Sequence, residues 1–184
     1  MKKFLATVLV ASFAFACNNE KPAEEKKEAK ADSVSAADTK PKAAEFADPA
    51  LADVGRKGLA ALSSGDIDGW MTSFADNAVW IWNNFDSVAG KPAVTAYWKK
   101  RRTEAIDSIS FSNEIWLPIK VNQPQGNEQK GVWLLGWYFV HAKYKTGKSM
   151  NQAIHAVMHF DDNNKIDRVV QYLDRALINA AMMK

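Results

Sequence analysis

Between Gly131 and Lys145 an extended chain would have no polar face. The odd positions are Trp133, Leu135, Trp137, Phe139 and His141, and the even ones are Val132, Leu134, Gly136, Tyr138, Val140 and Ala142. Successive side chains of a strand point to opposite faces. An antiparallel sheet in a small domain usually leaves one face in water, and that face reads as polar. A strand apolar on both sides must be covered on both sides. Helices of the same chain can cover one face. The other is expected to meet a second copy, which makes a homodimer through the sheet the natural assembly. The alternative is that the C-terminal helix covers it.

The rest of the folded part follows from periodicity and punctuation. Leu51, Val54, Leu59 and Leu62 have helical spacing, and Ser63-Ser64-Gly65 ends that helix. Asp66 is placed to cap a short second helix running to Phe74. Ala78 to Trp82 reads as a strand. Gly90-Lys91-Pro92 opens a third helix through about Glu104, with Val94, Tyr97 and Trp98 as its apolar stripe. Strands then follow at about 108–121, 131–145, 149–160 and 166–174. The turns between them are marked by Pro124-Gln125-Gly126-Asn127, Thr146-Gly147 and Asp161-Asp162-Asn163-Asn164. A last helix covers Ala176 to Met183. Helices leading into a meandering sheet give an α+β domain.

That domain is expected to span 49–184, the size of one core. It carries sixteen basic and thirteen acidic residues, a balance too weak to argue for nucleic acid or an anionic surface. The run Lys99-Lys100-Arg101-Arg102 falls at a helix end, where it complements the helix dipole. All seven tryptophans lie in this domain, which requires either an aromatic core or an aromatic-lined cavity. The only cysteine, Cys17, precedes the domain, so neither a disulfide nor a thiolate metal site is available to it.

The first 48 residues have a different character. Lys2 and Lys3 precede an apolar run from Phe4 to Ala16, which is long enough for a secretory signal and too short to span a bilayer. Ala14-Phe15-Ala16-Cys17 resembles the lipobox of a bacterial lipoprotein, in which the cysteine becomes the lipidated first residue. The reading is a signal peptide over 1–16, lipidation of Cys17, and a disordered tether over 17–48 rich in Ala, Lys, Glu, Ser and Pro. A coil of that length has an r.m.s. span on the order of 30 Å. The alternative is an ordinary signal cut after Ala16, leaving a free thiol. The lipid anchor implies the bacterial cell envelope: an outer membrane, at its periplasmic or surface face.

The stretch from Leu59 to Trp70, leading into Phe74-Ala75-Asp76-Asn77-Ala78-Val79, resembles the opening of the nuclear transport factor 2-like superfamily, with its SnoaL-like and ketosteroid isomerase branches. Gly90-Lys91-Pro92-Ala93-Val94 resembles the start of that family's third helix. Val157-Met158-His159-Phe160-Asp161 and the segment from Lys165 to Tyr172 resemble its closing hairpin. The resemblance implies a cone: a strongly curved, mostly antiparallel sheet wrapped by N-terminal helices around a pocket. It also places the three steroid-isomerase functional positions at Gly58, Trp82 and Ala156. None of these can transfer a proton or donate a hydrogen bond from its side chain to an enolate oxygen in the family's manner, so that chemistry is disfavoured.

If Ala156 faces the pocket, Gln152, Ile154 and Met158 face it too, and His155 and His159 face away. Those two histidines, four apart on a strand, stand roughly 13 Å apart along it, too far to share a metal. The same resemblance puts Trp133, Trp137, Phe139 and His141 inside, with Val169, Gln171 and Leu173 on the last strand. Trp82 would line the pocket from the other side, and Trp70 and Tyr97 would close it from the helices. The expected ligand-binding set is therefore Trp70, Trp82, Tyr97, Trp137, Phe139, His141 and Gln171, with no metal and no cofactor implied.

Two functions fit. One is a tethered, non-catalytic module whose aromatic pocket holds a small hydrophobic ligand. The other is a SnoaL-like enzyme of isomerase, hydratase or hydrolase type using His141 as general acid or base, with Gln171 or Asp86 beside it. A polar dyad inside the pocket favours the second; isolated polar atoms favour the first.

Overall fold

A computed structural model describes residues 42–126 and 128–183 of the chain. The expected signal peptide, Cys17 and the tether up to residue 41 lie outside the described residues. Among the described residues no helix is long and apolar enough to cross a membrane.

The chain joins the sheet earlier than the expected boundary at Pro49. Strand β1, Ala44–Phe46, pairs with residues 119–121, and a 3-10 turn over Pro49–Leu51 follows, with Asp48 Oδ1 accepting from the Ala50 amide at 2.9 Å. Three residues are too few to give a periodic signal for this strand; it exists because a longer strand offers it an edge. Helix α1, Ala52–Ser64, buries Ala52, Gly55, Gly58, Leu59 and Leu62 on one face. It stops at Gly65, whose φ of 87° is the left-handed conformation that glycine adopts without a Cβ penalty. Helix α2, Ile67–Met71, is capped as its sequence indicates: Asp66 Oδ1 accepts from the Gly69 amide at 2.9 Å.

Strand β2, Phe74–Trp82, turns back into the short β3, Ser87–Ala89. Helix α3, Lys91–Lys100, has proline in its first turn and runs into a π-helical turn over Arg101–Ala105. The long strands β4 (Ile106–Val121), β5 (Gly131–Tyr144) and β6 (Ser149–Phe160) form the antiparallel centre, followed by β7 (Ile166–Tyr172) and helix α4 (Arg175–Met182). The fold is α+β, and its one sheet has the order β1-β4-β5-β6-β7-β2-β3, curved and unclosed. All pairings are antiparallel except β2 with β7, where Trp80 lies beside Val169 and Trp82 beside Gln171.

The basic run at the end of α3 is divided among tasks. Lys99 pairs with Asp68 at 2.7 Å. Arg102 reaches back to α1 and donates to the Leu62 and Ser63 carbonyls at 3.1 and 3.2 Å, so it satisfies the orphan end of a different helix from its own. Arg101 turns inward and is taken up below.

The core has two parts. In one, Trp70, Trp80 and Trp98 meet edge to face with ring centroids 5.0–5.7 Å apart, with Phe74 and Leu134 beside them. In the other, Tyr138, Val140, Ala142 and Tyr144 of β5 pack with Met150 and Ile154 of β6 and with Ala181 of α4. Helix α4 therefore covers the same face of the sheet as the other helices. The alternative that it shields the opposite face is overturned, and among the described residues no helix lies on that outer face. Trp137 remains 38 % exposed there, Phe139 42 % and Ile115 62 %.

Candidate functional site

A cavity opens between the inner face of β5–β7, helix α3 and helix α4. It offers about 80 Å³ to the centre of a water-sized sphere. One water needs roughly 10–15 Å³ on that measure, so the tryptophans do not fill the site; it has room for a few waters or a small molecule. Its wall is mostly apolar and aromatic, with Trp82, Tyr97, Trp98, Phe111 and Tyr138 prominent.

The expected site residues separate into two groups. Trp82, Tyr97 and Gln171 are on the cavity wall. Trp82 and Gln171 are register partners on parallel strands and so share a face, and the Tyr97 ring lies 5.0 Å from that of Trp82. Trp70 is not on the wall; it is buried in the tryptophan cluster, packed on Phe74, Trp80 and Trp98. Trp137, Phe139 and His141 are on the outer face, which corrects the expectation that they line the cavity. The reason is register. In β5–β6, Gly136 opposes Ala156, Tyr138 opposes Ile154 and Leu134 opposes Met158, and directly opposed residues share a face. The even positions of both strands face inward together, and the odd positions are exiled together. Trp133 goes outward by the same rule.

On the outer face the odd residues form ladders. His155 stacks between Trp137 and Tyr172, at 4.6 and 5.6 Å, and its Nδ1 bonds the Gly136 carbonyl at 2.9 Å. His159 bonds Asp167 at 2.6 Å. His141 donates from Nδ1 to Asn151 Oδ1 at 3.0 Å, which leaves Nε2 to accept from the Ser112 hydroxyl at 3.2 Å. Asp86 does not approach His141. Its carboxylate bonds Asn84 and Arg175, and these hold it below the usual carboxylate range, Asn84 contributing most.

Beside the expected Gln171, the cavity has polar residues that the sequence did not single out. Tyr138 is buried, and its hydroxyl accepts from Gln171 Nε2 at 3.4 Å. Burial pushes that phenol up to about 12, so it is a neutral hydrogen-bonding group at any physiological pH. Gln171 is 5 % exposed, and its Oε1 has no hydrogen-bond partner among the described residues. At the α3 end, Arg101 donates to the Tyr144 hydroxyl at 3.0 Å and contacts Met182 Sδ at 3.7 Å. At the mouth, the Arg175 guanidinium lies 5.5 Å from the Trp82 ring and is paired with Asp86. Two signals for these were in the sequence: the even parity of Tyr138 and Tyr144, and an arginine three residues after Trp98 on one helical face.

The SnoaL-like domain family matches residues 56–169. The chain belongs to that family. No curated protein matches it. Among solved structures, a protein of Bacillus subtilis provisionally named an isomerase is similar at 18 % identity and a TM-score of 0.56, over 71 % of this chain and 90 % of that one. A protein of Xanthomonas campestris pv. campestris, provisionally named a polyketide cyclase, is similar at 16 % identity and a TM-score of 0.57, over 72 % and 96 %. An epoxide hydrolase of Mycobacterium tuberculosis, described as LEH-like, is similar at 14 % identity and a TM-score of 0.50, over 71 % and 86 %. At these identities the likeness is one of fold.

Within this SnoaL-like fold, the three positions compared with steroid isomerases are closed in different ways. At Gly58 the neighbouring indole stands in the space a side chain would need: a Cβ there would be 2.7 Å from Trp70 Nε1. Trp82 fills the wall at the end of β2. Ala156 is buried under β5 and β7, opposite Gly136 and Gln171. Among the described residues, no group of three or more His, Cys, Asp or Glu side chains is placed to hold a metal.

Proposed function

We propose that this SnoaL-like domain is a non-catalytic binding module that holds a small hydrophobic ligand in its aromatic cavity and is tethered to the bacterial cell envelope through lipidated Cys17. One observation carries the binding reading. Among the described residues that line the cavity there is neither a carboxylate nor a histidine. Its polar lining consists of tyrosines, the Gln171 and Asn179 amides and the Arg101 and Arg175 guanidinium groups; Tyr138 is held near 12, and neither an amide nor a guanidinium exchanges a proton readily near neutrality. The walls supply what binding needs: flat apolar surface with few polar fixtures. The Lys2-Lys3 signal and the cysteine that closes it support the anchor.

The assembly proposed with it is a homodimer through the outer face. The support is apolar exposure: Trp137, Phe139, Ile115 and Tyr172 crowd one side of the sheet, and a depression there is bounded by Ile119, Leu135, His155 and Val157.

A second reading, an enzyme, draws on the names of the structural neighbours: isomerase, polyketide cyclase and epoxide hydrolase. With His141 outside, such an enzyme would depend on the Tyr138–Gln171 pair. The deciding experiment titrates the full chain with small arenes and follows tryptophan fluorescence. Saturable quenching without chemical change in the arene supports the module. Turnover that Tyr138→Phe abolishes, with the fold intact, replaces it by the enzyme.

A further inference from the structure

The cavity is not uniformly apolar, and its polar atoms are mismatched in an informative way. Arg101 projects its guanidinium into the wall with only neutral partners, the Tyr144 hydroxyl and Met182 Sδ. Among the described residues it has no ion-pair partner, whereas Arg175 at the mouth is paired with Asp86. Taking a cation partly out of water is costly without a counter-charge. The second mismatch is Gln171 Oε1, a buried acceptor with no donor among the described residues, beside the Tyr138 hydroxyl, which accepts from Gln171 Nε2. Buried polar atoms in native proteins are normally satisfied, so each of these calls for a complementary group. The same cavity is walled by the flat faces of Trp82, Tyr97 and Phe111.

We infer that the ligand is a small hydroxylated ring acid, its carboxylate on Arg101 and its hydroxyl between Gln171 Oε1 and Tyr138. Guanidinium and carboxylate match in fork geometry, and a hydroxyl both donates and accepts, which is what the Gln171–Tyr138 pair asks for. The ring fills the aromatic middle. This rests on the binding reading above and narrows it to a chemical class. It also gives the second guanidinium a part: Arg175, neutralised by Asp86, stands at the entrance without competing for the anion.

The test uses probes of one ring size on the full chain: toluene, benzamide, benzoate and the three hydroxybenzoate isomers, titrated by calorimetry at low and high salt. Benzoate is expected to bind about tenfold or more tighter than benzamide, the range of a charge-assisted hydrogen bond. That gap should shrink with salt. One hydroxybenzoate isomer should improve on benzoate severalfold. Arg101→Gln should bring benzoate and benzamide to equal affinity, and Gln171→Leu should erase the gain from the hydroxyl. Benzoate binding no better than benzamide in the wild-type chain overturns the inference whether or not the variants fold, while the binding module stands if toluene and benzamide bind. A benzoate preference that survives Arg101→Gln in a folded protein also overturns it. Failure of all six probes removes the binding reading itself.

Discussion

The indole of Trp116 rests against Gly136, the residue opposite it in the β4–β5 register; a Cβ built on Gly136 would stand 2.2 Å from Trp116 Cζ3. The same ring is also met by Gly55 of α1, where a Cβ would approach to 2.6 Å. Two glycines thus make the slot that lets one indole lie between helix and sheet.

Filling that slot is expected to destabilise the domain. Gly136→Ala forces a rigid ring, not a flexible chain end, to move, and overpacking of this kind costs about 1–3 kcal/mol. Denaturant unfolding of Gly136→Ala, Trp116→Leu and the double variant measures it. The double variant should be less destabilised than the sum of the singles, because the clash is gone. Additive losses would mean that Trp116 and Gly136 do not share this space.

Alkaline stability should report Tyr138. Its phenol is raised from an ordinary 10.0 to about 12 in the fold, chiefly by burial. The folded state therefore holds a proton that the unfolded state has released, and stability falls as pH rises between those values. The stabilisation is fully present below pH 10 and lost by about pH 12, on the order of 2–3 kcal/mol in all. Tyr144, raised by burial in the same direction, adds to the fall. Unfolding midpoints measured from pH 8 upward should bend down near pH 10, and Tyr138→Phe should flatten part of that bend.

Trp82→Ala should enlarge the cavity, weakening small arenes and admitting larger ones, at a cost of about 3–5 kcal/mol. His141→Ala should leave arene binding nearly intact, since that ring bonds Ser112 and Asn151 on the outer face. Fluorescence titration of both variants decides; a large loss of affinity in His141→Ala would contradict its placement.

Sedimentation of the wild-type chain at micromolar concentration is expected to show a dimer. Val157→Glu, in the outer depression, should leave monomer or aggregate, because an unpaired charge at a buried contact costs several kcal/mol. A stable wild-type monomer would refute the dimer.

Cys17→Ser should give unprocessed or soluble protein where the wild type is expected to be membrane-bound. Mass spectrometry of the mature chain checks it: an unmodified Cys17 on soluble protein would exclude lipidation.

The helices and long strands were legible because each had its own punctuation: Gly65 after α1, Asp66 before α2, Gly90 and Pro92 before α3. The short strands β1 and β3 were not, since three residues show no period and each owes its form to a neighbour's edge. The site was half legible. Trp82 and Gln171 reached the wall because β2 and β7 run parallel in register. Trp137, Phe139 and His141 missed it because a strand apolar on both faces gives no internal sign of which face is in. That choice lies in the hairpin register, where Tyr144 accepts a turn bond from Gly147 and donates to Lys148, so that even residues oppose even ones. Arg101 was hidden in a basic run whose members separate only in three dimensions.

The parallel pairing of β2 with β7 also sets when this fold can form. Trp80 and Trp82 belong to the first long strand, and their neighbours Val169 and Gln171 belong to the last. A contact between such distant parts of the chain is paid for in loop closure and forms late. A chain made from its N-terminus cannot finish the sheet until nearly all of it is available. Should the Lys2-Lys3 segment direct export as proposed, that delay would be useful: the polypeptide would reach the translocation machinery still unfolded and threadable, and would complete its curved sheet only on the far side.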